Sequence, residues 1–256
     1  MTLGELMRCD GKVALVTGGG RGLGRILATT LAEAGADVAI CSRKLKACEE
    51  TAELIKQHDR RALALACDVT QVEDVDRVVN TVIAQFGRID ILVNNSGATW
   101  GASALEMPLT AWHKVIETNL TGTFLMSQHV ARVMSQHGGG KIINVASVMG
   151  LVGSDPEILD AIGYSASKGA IITLTKDLAV KWGKHGITVN AIAPGFFPTK
   201  MSRVILEEHG SEILRRTPLG RFGSDDDLKG VIVLLASRAS DFMTGSIIVV
   251  DGGLTA

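Results

Sequence analysis

Seven short runs of apolar and β-branched residues recur along the chain, and none of them alternates with polar residues. An unbroken apolar run predicts a strand that is buried on both faces, as in a parallel sheet covered by helices. Parallel strands need crossover connections, which are usually helices. The predicted strands are Val13–Thr17, Val38–Cys41, Ala62–Cys67, Ile89–Asn94, Lys141–Ala146, Ile187–Ala193 and Ser246–Val250.

The segments between these runs carry apolar residues at helical spacing. The clearest extends from Val72 to Phe86 and has acidic residues near its start; another extends from Trp112 to Phe124. Alternating strands and helices predict an α/β fold, a doubly wound seven-stranded parallel sheet with helices on both faces. Because no Pro- or Ser-rich linker divides the chain, we expect residues 1–256 to form a single domain.

Composition excludes several classes of protein. A hydrophobic content of 46% indicates a globular core, and a formal net charge of -1 gives no electrostatic support for a nucleic-acid partner. No apolar run approaches the ~20 residues of a membrane span, and the N-terminus lacks a signal-peptide pattern. The four cysteines show no Cys-x-x-Cys spacing, and Cys41 and Cys67 end apolar runs as small buried residues. We therefore expect a cytoplasmic protein without nucleic-acid or membrane partners.

The stretch Thr123–Met126 is apolar beyond a single helical stripe. Such a helix is either covered on all sides within one chain or packed against another subunit. We expect the second arrangement, in a homo-oligomer that is a dimer or a tetramer.

A glycine-rich turn, Thr17–Gly24, joins the first strand to an amphipathic helix. Glycines let backbone N–H groups approach a pyrophosphate, and the helix N-terminus adds partial positive charge. The spacing Gly18-x-x-x-Gly22-x-Gly24 differs from the commoner Gly-x-Gly-x-x-Gly fingerprint. The turn predicts nucleotide binding; the alternative is a tight turn that only serves helix–strand packing.

The second strand ends in Ser42-Arg43-Lys44, without the acidic residue that usually accepts hydrogen bonds from the ribose of NAD. Arginine makes forked contacts with phosphate, and Ser42 and Arg21 offer further donors. Cations at a helix N-terminus are unfavourable without an anion nearby. The pattern favours NADPH over NADH, the alternative being a solvated helix start.

Tyr164 is the only tyrosine, and Lys168 follows it by four residues. On a helix these positions share one face. A neighbouring positive charge favours the phenolate and lowers the pKa of tyrosine towards the working range of a general acid or base. By itself the pair also fits an ordinary surface contact.

Taken together, the motifs resemble the short-chain dehydrogenase/reductase family from about Asp10 to the C-terminus. The resemblance implies a Rossmann fold and an NADP(H)-dependent oxidoreductase that interconverts a ketone and a secondary alcohol. The motifs are the Thr17–Gly24 turn, Asp68-Val69, Asn94–Gly97, Asn119, Ser147, Tyr164-x-x-x-Lys168, Pro194-Gly195 and Asp251–Gly253.

The resemblance also implies roles for single residues. Tyr164 would protonate the substrate oxygen, Ser147 would hydrogen-bond it, and Lys168 would lower the pKa of Tyr164 and bind the nicotinamide ribose. Asn119 would hold a water that connects Lys168 with solvent. Standing alone, Asn119 reads equally as a buried structural amide. The implied cofactor-binding residues are Gly18, Gly20, Arg21, Gly22, Leu23, Gly24, Ser42, Arg43, Asp68, Val69, Asn95, Gly97, Tyr164, Lys168, Pro194, Gly195 and Thr199.

Two departures from the family pattern stand out. Ser96 replaces an alanine, which is a small change, and 17 positions separate Ser147 from Tyr164, more than is usual. The extra residues fall around Gly153–Glu157, which we expect to form an exposed loop over the substrate pocket. A flexible loop absorbs such an insertion cheaply, so the catalytic geometry should survive.

The sequence is compatible with more than one class of substrate. Trp100, Met149, Phe196 and Phe197 are predicted to line its pocket. Arg203, Arg215 and Arg216 either meet an anionic tail or form a solvated helix face. The pattern is similar both to gluconate 5-dehydrogenase-like members and to 3-oxoacyl-carrier-protein reductases.

Two other functions compete. A nucleotide-sensing protein could keep this fold and lose catalysis, but no catalytic residue is missing. A metal-dependent hydrolase or transferase is disfavoured because the six histidines form no His-x-x-x-His or His-Glu-x-x-His pattern. We expect no metal site.

Overall fold

The seven apolar runs form the strands of one parallel sheet in the computed structural model, which describes residues 1–256. The strand order is β3-β2-β1-β4-β5-β6-β7, so the direction of winding reverses between β1 and β4. In open sheets of this kind, ligands bind at the carboxyl ends of the strands beside that reversal. The strands are β1 Val13–Thr17, β2 Asp37–Ser42, β3 Ala62–Ala66, β4 Ile91–Asn94, β5 Gly140–Val145, β6 Ile187–Pro194 and β7 Ile247–Val250.

The predicted strands are confirmed to within two residues at each end, but two of them are not buried on both faces. All residues of β1 and β4 are buried, whereas none of β3 or β7 is. The expectation of full burial is wrong for these two strands because they lie at the edges of the sheet, where each has a neighbour on one side only.

The chain has nine α-helices, of which the first precedes β1 and the other eight lie between strands. The predicted helix Val72–Phe86 is confirmed, but the one predicted from Trp112 to Phe124 is interrupted by a π-helical turn at Glu117–Thr121. The helices are α1 Leu3–Leu6, α2 Gly22–Glu33, α3 Leu45–Lys56, α4 Val72–Phe86, α5 Leu109–Ile116, α6 Gly122–Gln136, α7 Ile162–Trp182, α8 Arg203–Arg216 and α9 Asp225–Ala236.

Two apolar layers, one on each face of the sheet, hold the fold together. One contains buried residues of α2, α3 and α9, and the other contains those of α4, α6 and the C-terminal half of α7. All four cysteines are buried and free, as predicted for Cys41 and Cys67. None of the helices is both long and apolar enough to span a membrane.

Candidate active site

A cleft of about 620 Å³ opens at the carboxyl ends of the central strands. This volume lies within the range usual for small-molecule and cofactor sites. Every predicted catalytic or cofactor-binding residue lines the cleft except Gly24 and Asn119, which contact the lining residues Gly18 and Ala98. The fold thus brings the predicted residues together from six different strand ends and loops.

The glycine turn is locked to the end of β4 by reciprocal hydrogen bonds. The Thr17 hydroxyl accepts from the backbone N–H groups of Asn95 and Ser96, both at 3.0 Å. The Asn95 amide donates to the carbonyl oxygens of Thr17 and Gly18, both at 3.2 Å. The Asn95 amide thus fixes the shape of the glycine turn, and its contribution to the adenosine side of the cofactor stays a prediction.

The glycines of the turn are required by close contacts. A Cβ on Gly18 would lie 2.9 Å from the Asn95 side chain, and one on Gly20 would lie 2.9 Å from the backbone of Ala47. A Cβ on Gly24 would collide with the Gly18 carbonyl oxygen. Helix α2 begins at Gly22, so its N-terminus faces the cleft and favours a phosphate there.

Positive side chains surround this end of the cleft. Arg21, Arg43 and Lys44 are exposed, line the cleft and have no carboxylate partner. One carboxylate oxygen of Asp68 accepts hydrogen bonds from the Thr70 hydroxyl at 2.8 Å and from the Thr70 backbone N–H at 3.1 Å. The other oxygen makes no hydrogen bond with the protein. The residues present therefore fit a phosphate-bearing dinucleotide.

Ser147, Tyr164 and Lys168 meet at the floor of the cleft. Lys168 is 4% exposed, and its ammonium donates to the Val145 carbonyl oxygen at 2.6 Å. The same nitrogen lies 5.6 Å from the centroid of the Tyr164 ring. Lys168 therefore lies beside the face of the ring and anchors to the end of β5.

In this arrangement the positive charge of Lys168 does not outweigh burial, so the pKa of Tyr164 is raised and not lowered as expected. Burial disfavours the phenolate and raises the pKa of Tyr164. The neighbouring Ser147 hydroxyl acts in the opposite direction and lowers this pKa in part. Burial likewise disfavours the ammonium and lowers the pKa of Lys168 to about 8.

Asn119 is fully buried in the π-helical turn, and protein groups use its whole side chain. Its amide oxygen accepts from Ala98 N–H at 2.7 Å, and its nitrogen donates to the Ala98 carbonyl at 3.0 Å and to the Ser167 hydroxyl at 2.9 Å. Ser167 in turn donates to the Tyr164 carbonyl at 2.7 Å. The Asn119 side chain thus positions the cleft wall and α7, and it has no donor left for a water.

The remaining predicted residues frame the opposite wall. Pro194 ends β6, and a Cβ on Gly195 would lie 2.8 Å from the Cα of Asp251. Thr199 hydrogen-bonds Ser202 just before α8, and its side chain lies 3.6 Å from the position of a Cβ on Gly22. Thr199 therefore connects the start of α8 with the glycine turn.

Sequence reasoning missed two groups of supporting residues. A Cβ on Gly150 would lie 2.5 Å from the carbonyl carbon of Lys168, so only glycine allows the turn after Ser147 to pack on α7. A buried ladder below the site joins the side chains of Asn94, Asn144 and Thr175 by bonds of 2.9 Å. An asparagine inside each of two apolar runs was the available signal for this ladder.

The predicted substrate pocket needs correction. Phe197 is 5% exposed and belongs to the apolar core, and neither it nor Trp100, Met149 or Phe196 lines the cleft. Phe197 is buried because its ring packs on Gly223, where a Cβ would overlap it. Thr99 and Met201 line the cleft at the corresponding ends of these segments.

The inserted loop does not line the cleft either, but it ties the walls together. Ala102 donates to the Asp160 carbonyl at 2.9 Å, which attaches the loop to the segment after β4. On the other side, Arg216 of α8 contacts the carboxylate of Asp155 at 3.0 Å. The loop is thus a strap between the two segments that flank the cleft mouth.

Comparison with known proteins agrees with this geometry. The family model described as Enoyl-(Acyl carrier protein) reductase matches residues 18–255. The chain belongs to the short-chain dehydrogenase/reductase family. Members of this family are oxidoreductases, and the enzyme class predicted from the sequence is confirmed.

Individual relatives cover the chain nearly end to end. The chain is 42% identical over 247 residues to 2-dehydro-3-deoxy-D-gluconate 5-dehydrogenase of Dickeya dadantii, covering 95% of each chain. It is 36% identical over 249 residues to a 3-oxoacyl-[acyl-carrier-protein] reductase of Aquifex aeolicus, covering 97% and 99%. The crystal structure of a gluconate 5-dehydrogenase from Burkholderia cenocepacia in complex with NADP and tartrate has a TM-score of 0.94, 38% identity and 99% coverage of both chains.

Proposed function

We propose that this dehydrogenase/reductase interconverts a keto sugar acid and its secondary alcohol, with NADP(H) as the cofactor. The observation that carries the proposal is the meeting of Ser147, Tyr164 and Lys168 at the floor of a cleft whose other end fits a dinucleotide. The gluconate dehydrogenases among its relatives support the substrate class.

Each residue of the trio has a distinct chemical task. Tyr164 donates its proton to the substrate oxygen; its raised pKa keeps the phenol protonated at neutral pH, as reduction requires. Ser147 donates a hydrogen bond to the same oxygen, where negative charge builds. Lys168, charged below a pKa of about 8, stabilises the phenolate that remains after proton transfer. Bound NADPH supplies the hydride.

We assign the preference for NADP over NAD to the cations at the end of β2. Arg43 and Lys44, with Arg21 of the glycine turn, suit the 2′-phosphate that distinguishes NADP from NAD. The glycine turn and the free oxygen of Asp68 serve the rest of the adenosine diphosphate. Pro194, Gly195 and Thr199 serve the nicotinamide end.

We further propose a homo-oligomer, a dimer or tetramer, in the cytoplasm. Phe124 of α6 is 38% exposed and Val180 of α7 is 84% exposed, while Thr123 and Met126 on the same turn of α6 are buried. Large exposed apolar side chains on two helices support a subunit contact. Four free buried cysteines fit a reducing compartment.

The test is the loss of NADPH absorbance with two ketones in parallel, 5-keto-D-gluconate and an acetoacetyl thioester. We expect turnover of the keto acid with NADPH and slower turnover with NADH. A preference for the thioester would instead assign the chain to 3-oxoacyl reduction, the alternative that the Aquifex relative supports. Tight NADPH binding without consumption of any ketone would favour a nucleotide sensor.

A further inference from the structure

The lysines and arginines divide into two groups according to their carboxylate partners. Fifteen of the 26 have a carboxylate within 4.0 Å, and none of these lines the cleft. Asp68 is the only acidic side chain along the cleft. The cleft therefore holds a strong excess of uncompensated positive charge in a chain of formal net charge -1, which predicts anionic ligands. Six unpaired cations line it: Arg21, Arg43, Lys44, Lys114, Lys168 and Lys200.

The dinucleotide accounts for most of these cations. Arg43 and Lys44 follow β2, and Arg21 lies in the glycine turn. Lys200 directly follows the threonine whose side chain lies 3.6 Å from the Cβ position of Gly22, so it belongs to the pyrophosphate end. Lys168 is buried below the tyrosine. These five cations would face the phosphates and the ribose of a bound cofactor.

Lys114 is the one cation that the dinucleotide leaves without a role. It is exposed on α5, and its ammonium lies 5.7 Å from the centroid of the Trp100 ring. The segment that carries Trp100 is held next to the start of α7, because the Ala102 N–H donates to the Asp160 carbonyl oxygen at 2.9 Å, four residues before Tyr164. Lys114 therefore belongs to the part of the cleft next to Tyr164.

The arginines of α8 cannot take its place. Arg203 pairs with Glu207, and Arg215 and Arg216 both pair with Glu212. Their charges are already compensated, so they form the solvated face that was the alternative to an anion site. Near the reacting end, Lys114 alone keeps an unneutralised charge at the surface of the cleft.

We propose that Lys114 binds the carboxylate of the substrate and thereby selects hydroxy and keto acids over neutral ketones. The proposal rests on the proposed function and names the recognition element of the same site. The Trp100 ring holds the ammonium by a cation–π contact and limits its motion. Ser147 and Tyr164 bind the carbonyl several carbons away, so the two contacts together orient the chain of the substrate.

The experiment measures binding of D-gluconate to the NADP⁺-saturated protein by calorimetry, and reduction of 5-keto-D-gluconate and of a neutral cyclic diketone. Lys114→Met removes the charge and keeps the length of the side chain, whereas Lys114→Arg retains the charge. Lys184→Met is the matched control, since Lys184 is exposed, unpaired and outside the cleft.

We expect Lys114→Met to weaken gluconate binding and to raise KM for the keto acid by about 5-fold, the scale of an accessible charge pair. Lys114→Arg should restore most of the gluconate affinity and most of the wild-type KM for the keto acid. In both variants the Kd of NADPH and the KM for the diketone should not change. The proposal is overturned if wild type binds no gluconate, if Lys114→Met binds it as tightly as wild type, or if NADPH binding weakens instead. Lys114-dependent gluconate binding without turnover of the keto acid would uphold this inference and refute the proposed function.

Discussion

Burial destabilises the charged form of Lys168, because no carboxylate compensates the ammonium. Its pKa is lowered from 10.5 to about 8. Between these pH values the unfolded chain binds more protons than the folded chain, so stability from this group rises with pH. Below pH 8 the charged form is present in both states, and burial of the charge then costs about 3 kcal/mol relative to pH 10.5.

Lys168→Met should therefore abolish turnover and yet relieve this penalty. The free energy of unfolding of the variant minus that of wild type should be larger at pH 7 than at pH 10, by about 2 to 3 kcal/mol. Urea unfolding of both ligand-free proteins at pH 7, 8.5 and 10 checks this, because other titrations cancel in the difference. Parallel pH curves would show that Lys168 has an ordinary pKa.

Arg43 carries the proposed discrimination between NADP and NAD. Arg43→Asp should raise the KM for NADPH roughly 10- to 100-fold, the scale of a charge-assisted hydrogen bond. The KM for NADH should stay unchanged or decrease. Lys46→Asp is the control, since Lys46 lies nearby on α3 but does not line the cleft. Equal weakening of both cofactors would show that Arg43 does not read the 2′-phosphate.

For single residues, the sequence predicted the position of each side chain better than its chemical role. Tyr164 and Lys168 do lie together because i, i+4 spacing is a property of the helix alone. The pKa of Tyr164 depends on burial by the rest of the fold, and the prediction of a lowered value was wrong. Asn119 and Asn95 lie where expected, but hydrogen bonds that only the tertiary structure defines occupy the side-chain N–H groups of both.

Among the elements, the strands were the most predictable. A strand buried on both faces needs an unbroken apolar run, and that run is visible without knowledge of its neighbours. Edge position, by contrast, depends on strand order, so the exposure of β3 and β7 was not foreseen. The π-helical turn at Glu117–Thr121 was missed as well, because the apolar spacing around it is that of an ordinary helix.

The strap formed by the inserted loop makes a prediction for α8. Asp155→Arg removes the contact between Asp155 and Arg216 and places two positive charges together, which should release α8 from the cleft mouth. Since the pair is partly exposed, KM should rise only about 2- to 5-fold, with kcat changed less.

The reciprocal double variant Asp155→Arg with Arg216→Asp should restore KM at least in part, and steady-state kinetics on all four proteins measures the coupling. Arg203→Gln serves as the control, because its partner Glu207 lies on α8 itself. If the double variant were no better than Asp155→Arg, the ion pair would not position α8.

At the scale of the whole molecule, we predict that Val180 lies at a contact between subunits. Val180 is 84% exposed although it is a large apolar residue in the last turn of the chain's longest helix. Val180→Asp should lower the molar mass measured by light scattering, because a carboxylate cannot be buried at a subunit contact without a partner. Leu105→Asp, at a still more exposed site in a loop, should leave the mass unchanged. An unchanged mass for Val180→Asp would place the contact elsewhere.

We propose that Tyr164 protonates the substrate oxygen in this cleft, and Tyr164→Phe removes the proton that it would donate. The measurement is kcat/KM for reduction of 5-keto-D-gluconate, taken together with the Kd of NADPH on the same preparations. Loss of the hydroxyl should lower kcat/KM by roughly 10²- to 10⁴-fold, as removal of a general acid does, while the Kd of NADPH stays within about two-fold. Turnover at the wild-type rate by the phenylalanine variant would show that Tyr164 is not the proton donor.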